Sequence, residues 1–81
     1  MTKDQIILRV NSIMAAKAHI GIDDIKPEDF YDELGADSMQ CIEVLLELED
    51  EFDIEISAHD TSGVATMQEV YDLIERKVNE K

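Results

Sequence analysis

Apolar positions recur every three or four residues in three stretches of the chain, and a capping signal precedes each stretch. Thr2-Lys3-Asp4-Gln5 has the Ser/Thr-x-x-Glu/Gln form of a capping box, which satisfies free amides at a helix start. Ile6, Ile7, Val10, Ile13 and Met14 follow as one stripe, predicting a helix to about His19 with Gly21 placed to end it. Residues 21–36 hold Gly21, Pro27, Gly35 and scattered acids, and read as a long connection anchored by Ile22, Ile25, Phe30 and Leu34. Ordered loops of that length are uncommon in small domains and are often functional.

The second helix is expected to start with Asp37 as its N-cap and Gln40 three residues on. On a wheel of about 100° per residue counted from Ser38, an apolar arc runs from roughly 280° to 80° and holds Cys41, Ile42, Leu45, Leu46, Leu48 and Phe52. Gln40, Glu43, Glu47, Asp50 and Glu51 fall between about 120° and 220°, with Met39 on the boundary at about 100° beside Leu46. Val44 stands apart on the polar side. Glu49 intrudes into the apolar arc, and the pattern offers no reason for it beyond its place in the last turns.

Ile54 and Ile56 alternate with Asp53 and Glu55 as a short strand would, but no partner strand is evident. The segment therefore reads as a turn into a short helix capped by Ser57, with Gly63 interrupting the chain after it. Thr66-Met67-Gln68-Glu69 is a second capping box, and Met67, Val70, Tyr71, Ile74 and Val78 form the stripe of a last helix. The expected fold is all-α: a small four-helix bundle of three longer helices and one short helix, with a long loop between the first two. At 81 residues the chain supports one domain, 1–81, with a limited core and no internal repeat.

Charge changes the picture more than overall composition does. Twenty acids against seven bases give a formal net charge of -13, and residues 27–75 carry sixteen of the acids and none of the bases. Such a surface argues against nucleic acid or an anionic membrane as partner and points to a basic one. No apolar run approaches the roughly 20 residues of a membrane span, and Met1-Thr2-Lys3-Asp4 lacks the apolar core of a signal peptide. A cytoplasmic, monomeric module is expected. One cysteine excludes an internal disulfide framework, and Cys41 falls on the apolar arc as a small core residue.

The inventory for catalysis is poor. His19 and His59 read as solvated helix-end residues, and Gly-Ala-Asp-Ser-Met around Ser38 lacks the second glycine of a hydrolase nucleophile elbow. No window matches a calcium-binding loop, so no metal site is expected. Ser38 nevertheless follows a long loop and a capping acid at the first position of a helix. A helix N-terminus favours negative charge, so a phosphate ester on that hydroxyl would be electrostatically comfortable; equally, Ser38 would serve simply to start the helix.

Leu34-Gly35-Ala36-Asp37-Ser38-Met39 resembles the Leu-Gly-Ala-Asp-Ser-Leu signature of discrete (type II) acyl carrier proteins. Phe30, Asp32 and Glu33 resemble the lead-in, Glu43 through Ile56 the acidic second helix and its exit, and Thr66-Met67 the start of the last helix. The resemblance covers essentially the whole chain in register. It implies a non-catalytic carrier whose serine, here Ser38, receives the 4'-phosphopantetheine arm of coenzyme A from a phosphopantetheinyl transferase. Acyl intermediates would ride on that arm as thioesters to the synthases, reductases, dehydratases and acyltransferases of a fatty-acid, polyketide or related pathway. Basic patches of those enzymes would meet Asp37, Glu43, Asp50 and Glu51, with Glu47 in the same acid arc and Met39, Ile42 and Leu46 as apolar contacts near the arm. Met39 replaces the usual Leu, Gln40 stands where an acid is common, and Ser57 stands where Pro is frequent. Ala58-His59 makes the short helix less acidic than usual. These departures leave open a housekeeping or a specialised carrier. Two other readings stay open: a peptidyl or aminoacyl carrier, and an unmodified acidic interaction module.

Overall fold

Helix starts are set by side chains that satisfy the first free amides. The computed structural model describes residues 2–34 and 38–80. Its helices are α1 (Lys3–Ala18), α2 (Tyr31–Leu34), α3 (Ser38–Phe52), α4 (Ala58–Thr61) and α5 (Met67–Asn79), with a 3-10 turn at Ile22–Asp24. Thr2 and Gln5 cap α1 reciprocally: Thr2 Oγ1 accepts from the Gln5 N–H at 3.2 Å, and Gln5 Oε1 accepts from the Thr2 N–H at 2.9 Å. Ser57 with Asp60 and Thr66 with Glu69 form the same boxes on α4 and α5. The expected bundle of three longer helices and the short helix after Ser57 is present. The additional single turn α2 lies within the long connection.

Helix ends follow a different rule from the one expected. His19, not Gly21, terminates α1 by turning left-handed at φ 59°, and Ile20 N–H then bonds back to the Ala15 carbonyl at 3.2 Å. Gly21 keeps an extended φ of −72°. Asp53 closes α3 in the same manner at φ 53°, with Ile54 N–H bonded to the Glu49 carbonyl at 3.1 Å. His and Asp are among the few non-glycine residues that enter this region readily.

Helix α1 packs against both α3 and α5. The core interleaves Ile6, Val10 and Met14 with Val44, Leu48 and Phe52, and with Met67, Val70, Tyr71 and Ile74. Full burial of each large apolar side chain contributes about 1.5–3 kcal/mol, so this shared layer is what holds helices of marginal length together. Ile54 and Ile56 pack against the core from a turn; among the described residues there is no strand, only an isolated bridge between Phe30 and Thr66.

The long connection is ordered because it supplies acceptors to the start of α5. Met67 N–H donates to the Asp29 carbonyl at 2.8 Å and Gln68 N–H to the Pro27 carbonyl at 2.9 Å, while Thr66 Oγ1 takes the Glu69 N–H. With the Thr66 N–H donating to Glu69 Oε1 at 3.2 Å, all four amides that this helix start leaves without helical partners are satisfied. Ile25 anchors the segment at 7% exposure, with Leu34 packed at the core edge. Ile22 and Phe30, expected as further anchors, are exposed at 37% and 47%. Phe30 is held instead by its backbone bridge to Thr66, which leaves the ring outside.

Among the described residues, the bases on α1 and α5 lie where they join helices. Lys3 reaches Asp72 and Glu75 from α1 to α5, Arg9 reaches Glu51 and Lys17 reaches Glu47 from α1 to α3, and Lys77 binds Asp60 between α5 and α4. Among the described residues no helix is long and apolar enough to cross a membrane.

Candidate functional site: the exposed face of α3

Helix α3 begins at Ser38 and runs fifteen residues. Its core contact is made by Val44, Leu48 and Phe52, at 2%, 0% and 4% exposure, with Cys41 and Leu45 half-buried beside them. On the helical wheel the buried arc therefore spans roughly 240° to 340°. Val44, which the periodicity set apart on the polar side, is a core residue. The physical reason is that only half of the apolar arc faces the core, so the arc's centre misplaces the buried face.

The other half of that arc stays in water. Met39, Ile42 and Leu46 are 64%, 53% and 56% exposed and fall together between about 40° and 100°, a continuous apolar strip along α3. Their neighbours in order around the helix are Asp50 and Glu43, then Glu47, then Glu51, all exposed. Three large apolar side chains rimmed by carboxylates on one helix form one contiguous patch rather than scattered exposure. The residues expected from the sequence as acidic and apolar contacts are thus brought to one side, Asp37 excepted, which lies outside the described residues along with Gly35 and Ala36.

Glu49 is explained by a bond across the helix exit. Its Oε2 accepts the Ile56 N–H at 2.9 Å, fixing the turn that leads to α4. Arg9 and Lys17 are the charged residues at this site that the sequence reading did not single out. They approach the acid face from α1, Arg9 on Glu51 and Lys17 on Glu47 at 3.6 Å. The pairs run in opposite chain order, as antiparallel helices require. Only the packing of α1 on α3 reveals them, because spacing within one helix carries no information about which face meets which.

The two histidines lie elsewhere: His19 ends α1 and His59 sits in α4, both exposed. Among the described residues no group of three His, Cys, Asp or Glu side chains is placed to hold a metal ion.

Comparison with known proteins agrees with this architecture. The family model described as a phosphopantetheine attachment site matches residues 9–74, which takes in α3 and its flanks. An acyl carrier protein from Chlorobium phaeobacteroides is 42% identical over 78 residues, covering 95% of this chain and all of the relative. One from Exiguobacterium sp. is 40% identical over 79 residues, covering 96% of this chain and all of the relative. The crystal structure of the acyl carrier protein from Thermotoga maritima superimposes with a TM-score of 0.80 at 25% identity, covering 99% of this chain and 94% of that one. A bundle whose helix α3 pairs an exposed apolar strip with an acid rim, matched over nearly its full length by these relatives, belongs to the acyl carrier protein family, whose cargo rides on a covalently attached 4'-phosphopantetheine.

Proposed function

We propose that Ser38 is the attachment point of the arm and that the exposed face of α3 is where partner enzymes dock. The observation that carries this reading is the position of Ser38: it opens α3 inside the motif Leu34 to Met39, next to the apolar strip of Met39, Ile42 and Leu46. A helix N-terminus suits the negative charge of the phosphodiester that links serine to pantetheine. The arm supplies a thiol that carries the acyl group as a thioester. The chain's own residues contribute position and recognition, and the protein itself catalyses no step.

The docking face comprises Asp37, Met39, Ile42, Glu43, Leu46, Glu47, Asp50 and Glu51. Exposed charge pairs add little affinity each, but complementary fields speed encounter and fix register. That combination suits a shuttle, which has to leave each enzyme after its step. The partners are a phosphopantetheinyl transferase and acyl-processing enzymes with basic patches, in the cytoplasm, served by a monomeric single domain over 1–81. The acyl carrier names of the relatives favour acyl over peptidyl cargo, within fatty-acid, polyketide or a related synthesis.

The test is mass spectrometry of the protein incubated with coenzyme A and a phosphopantetheinyl transferase. The wild type gains the phosphopantetheine mass, and Ser38→Ala, with an unchanged helical circular dichroism spectrum, gains nothing. The same increment on Ser38→Ala, or none on the wild type under conditions that load an established carrier, overturns the assignment.

A further inference from the structure

We infer that Arg9 and Lys17 are specificity-determining residues of the docking face, acting as internal competitors for the bases of a partner enzyme. The inference rests on the reading of α3 as that face and extends it to α1. Arg9 Nη1 lies on Glu51 Oε2, and Lys17 Nζ lies 3.6 Å from Glu47 Oε1. Both acids belong to the far side of the acid arc, next to α1, at about 180° and 220° on the wheel. Glu43 and Asp50, at about 120° to 140°, border the apolar strip. Among the described residues no base lies within ion-pair distance of either.

The acid face is therefore divided. Its inner edge, Glu43 and Asp50 beside Met39, Ile42 and Leu46, presents uncompensated carboxylates. Its outer edge is neutralised from within. A partner fits best if it carries an apolar patch flanked closely by two or three bases, rather than an extended basic stripe. A partner that also engages Glu47 and Glu51 has to displace Lys17 and Arg9 first. Displacement is feasible, because the paired side chains are all between a third and roughly half exposed: Arg9 49%, Glu51 39%, Lys17 33% and Glu47 52%. Exposed pairs of this kind shift an equilibrium by a factor of about 1.4 to 5 each.

The probe is modification of the unmodified protein by a phosphopantetheinyl transferase with coenzyme A, at about 0.1 M salt, where charges beyond about 10 Å are largely screened. Arg9→Gln and Lys17→Gln each lower the KM for the carrier by about 1.4- to 5-fold with kcat unchanged. The gain disappears when Glu51→Gln is already present for Arg9→Gln, or Glu47→Gln for Lys17→Gln. Lys3→Gln is the charge-matched control, because Lys3 pairs with Asp72 and Glu75 on α5, and it leaves KM unchanged. An unaltered KM in both α1 variants overturns the inference. So does an equal drop with Lys3→Gln, which would assign the effect to net charge alone, or a gain that survives removal of the acid. If the wild type is modified while these KM values stay flat, internal competition fails and the attachment reading stands. If the wild type is not modified at all, both fail. Each variant is checked for wild-type helicity before its kinetics are read.

Discussion

The Glu49 carboxylate leaves the apolar side of α3 to accept the Ile56 N–H at 2.9 Å, and that amide is part-buried. Removing the acceptor leaves this part-buried donor without its protein partner, a cost of up to about 1–3 kcal/mol. Glu49→Ala therefore lowers the unfolding free energy by about that amount in urea titration, and Glu49→Gln, which keeps a carbonyl oxygen in place, recovers most of it. Equal losses in the two variants would mean that the charge, and not the bond to Ile56, is what matters. Glu49 also marks where sequence reading stops. Its partner sits seven residues on, in a turn whose path periodicity does not encode. Val44 illustrates the same limit, since Met39, Ile42 and Leu46 pull the apparent centre of the apolar arc away from the true core. The capping residues Thr2, Ser57 and Thr66 were legible because their partners lie three residues away in the chain.

At the scale of elements, α4 is too short to stand alone and is held by Asp60. The Asp60 side chain is 14% exposed, its Oδ2 lies 2.9 Å from Lys77 Nζ, and the same oxygen accepts from the Ser57 N–H and hydroxyl at 3.0 Å each. Lys77 first, and then the Ser57 amide, hold this carboxyl well below the usual carboxylate range. A depressed folded value means that the ionised form is the stabilising one. The contribution is complete above the unfolded value of about 3.9 and is lost as pH falls through the folded value. Asp72, lowered by its bond to Lys3, follows the same sign. Acid also relieves repulsion among the other carboxylates, so the informative quantity is the difference between wild type and Asp60→Asn. That difference in urea midpoint is constant from pH 7 to about 5 and shrinks toward zero below about pH 4. A difference independent of pH would show that Asp60 acts through packing alone. The tie of α4 to α5, like the stapling of the connection by Pro27 and Asp29, joins residues distant in sequence. It was therefore invisible in a chain whose helix starts were plain, and the acid face of α3 was legible only because periodicity is local.

For the molecule as a whole, the partition of charge sets the response to salt. Every base lies outside residues 27–75, and Lys3, Arg9, Lys17, Arg76 and Lys77 are each drawn onto carboxylates, leaving Glu43 and Asp50 beside the apolar strip uncompensated. A net charge of -13 is confined within principal extents of 31 × 25 × 21 Å. At about 0.01 M salt the screening length is about 30 Å, so nearly every carboxylate feels every other across the whole molecule. At about 0.1 M it is about 10 Å, and only neighbours interact. Two effects then oppose each other. Screening weakens the surface ion pairs that join the helices, each worth about 0.2–1 kcal/mol, and it relieves the repulsion among many uncompensated acids. With sixteen acids and no base across 27–75, relief wins, and unfolding, which spreads the charges apart, loses its electrostatic advantage. Tm is expected to rise by at least about 4 °C between the two salt concentrations, the shift that about 1 kcal/mol produces in a domain of this size. A Tm that stays flat, or falls, would show that the ion pairs from α1 and α5 already balance the acid face.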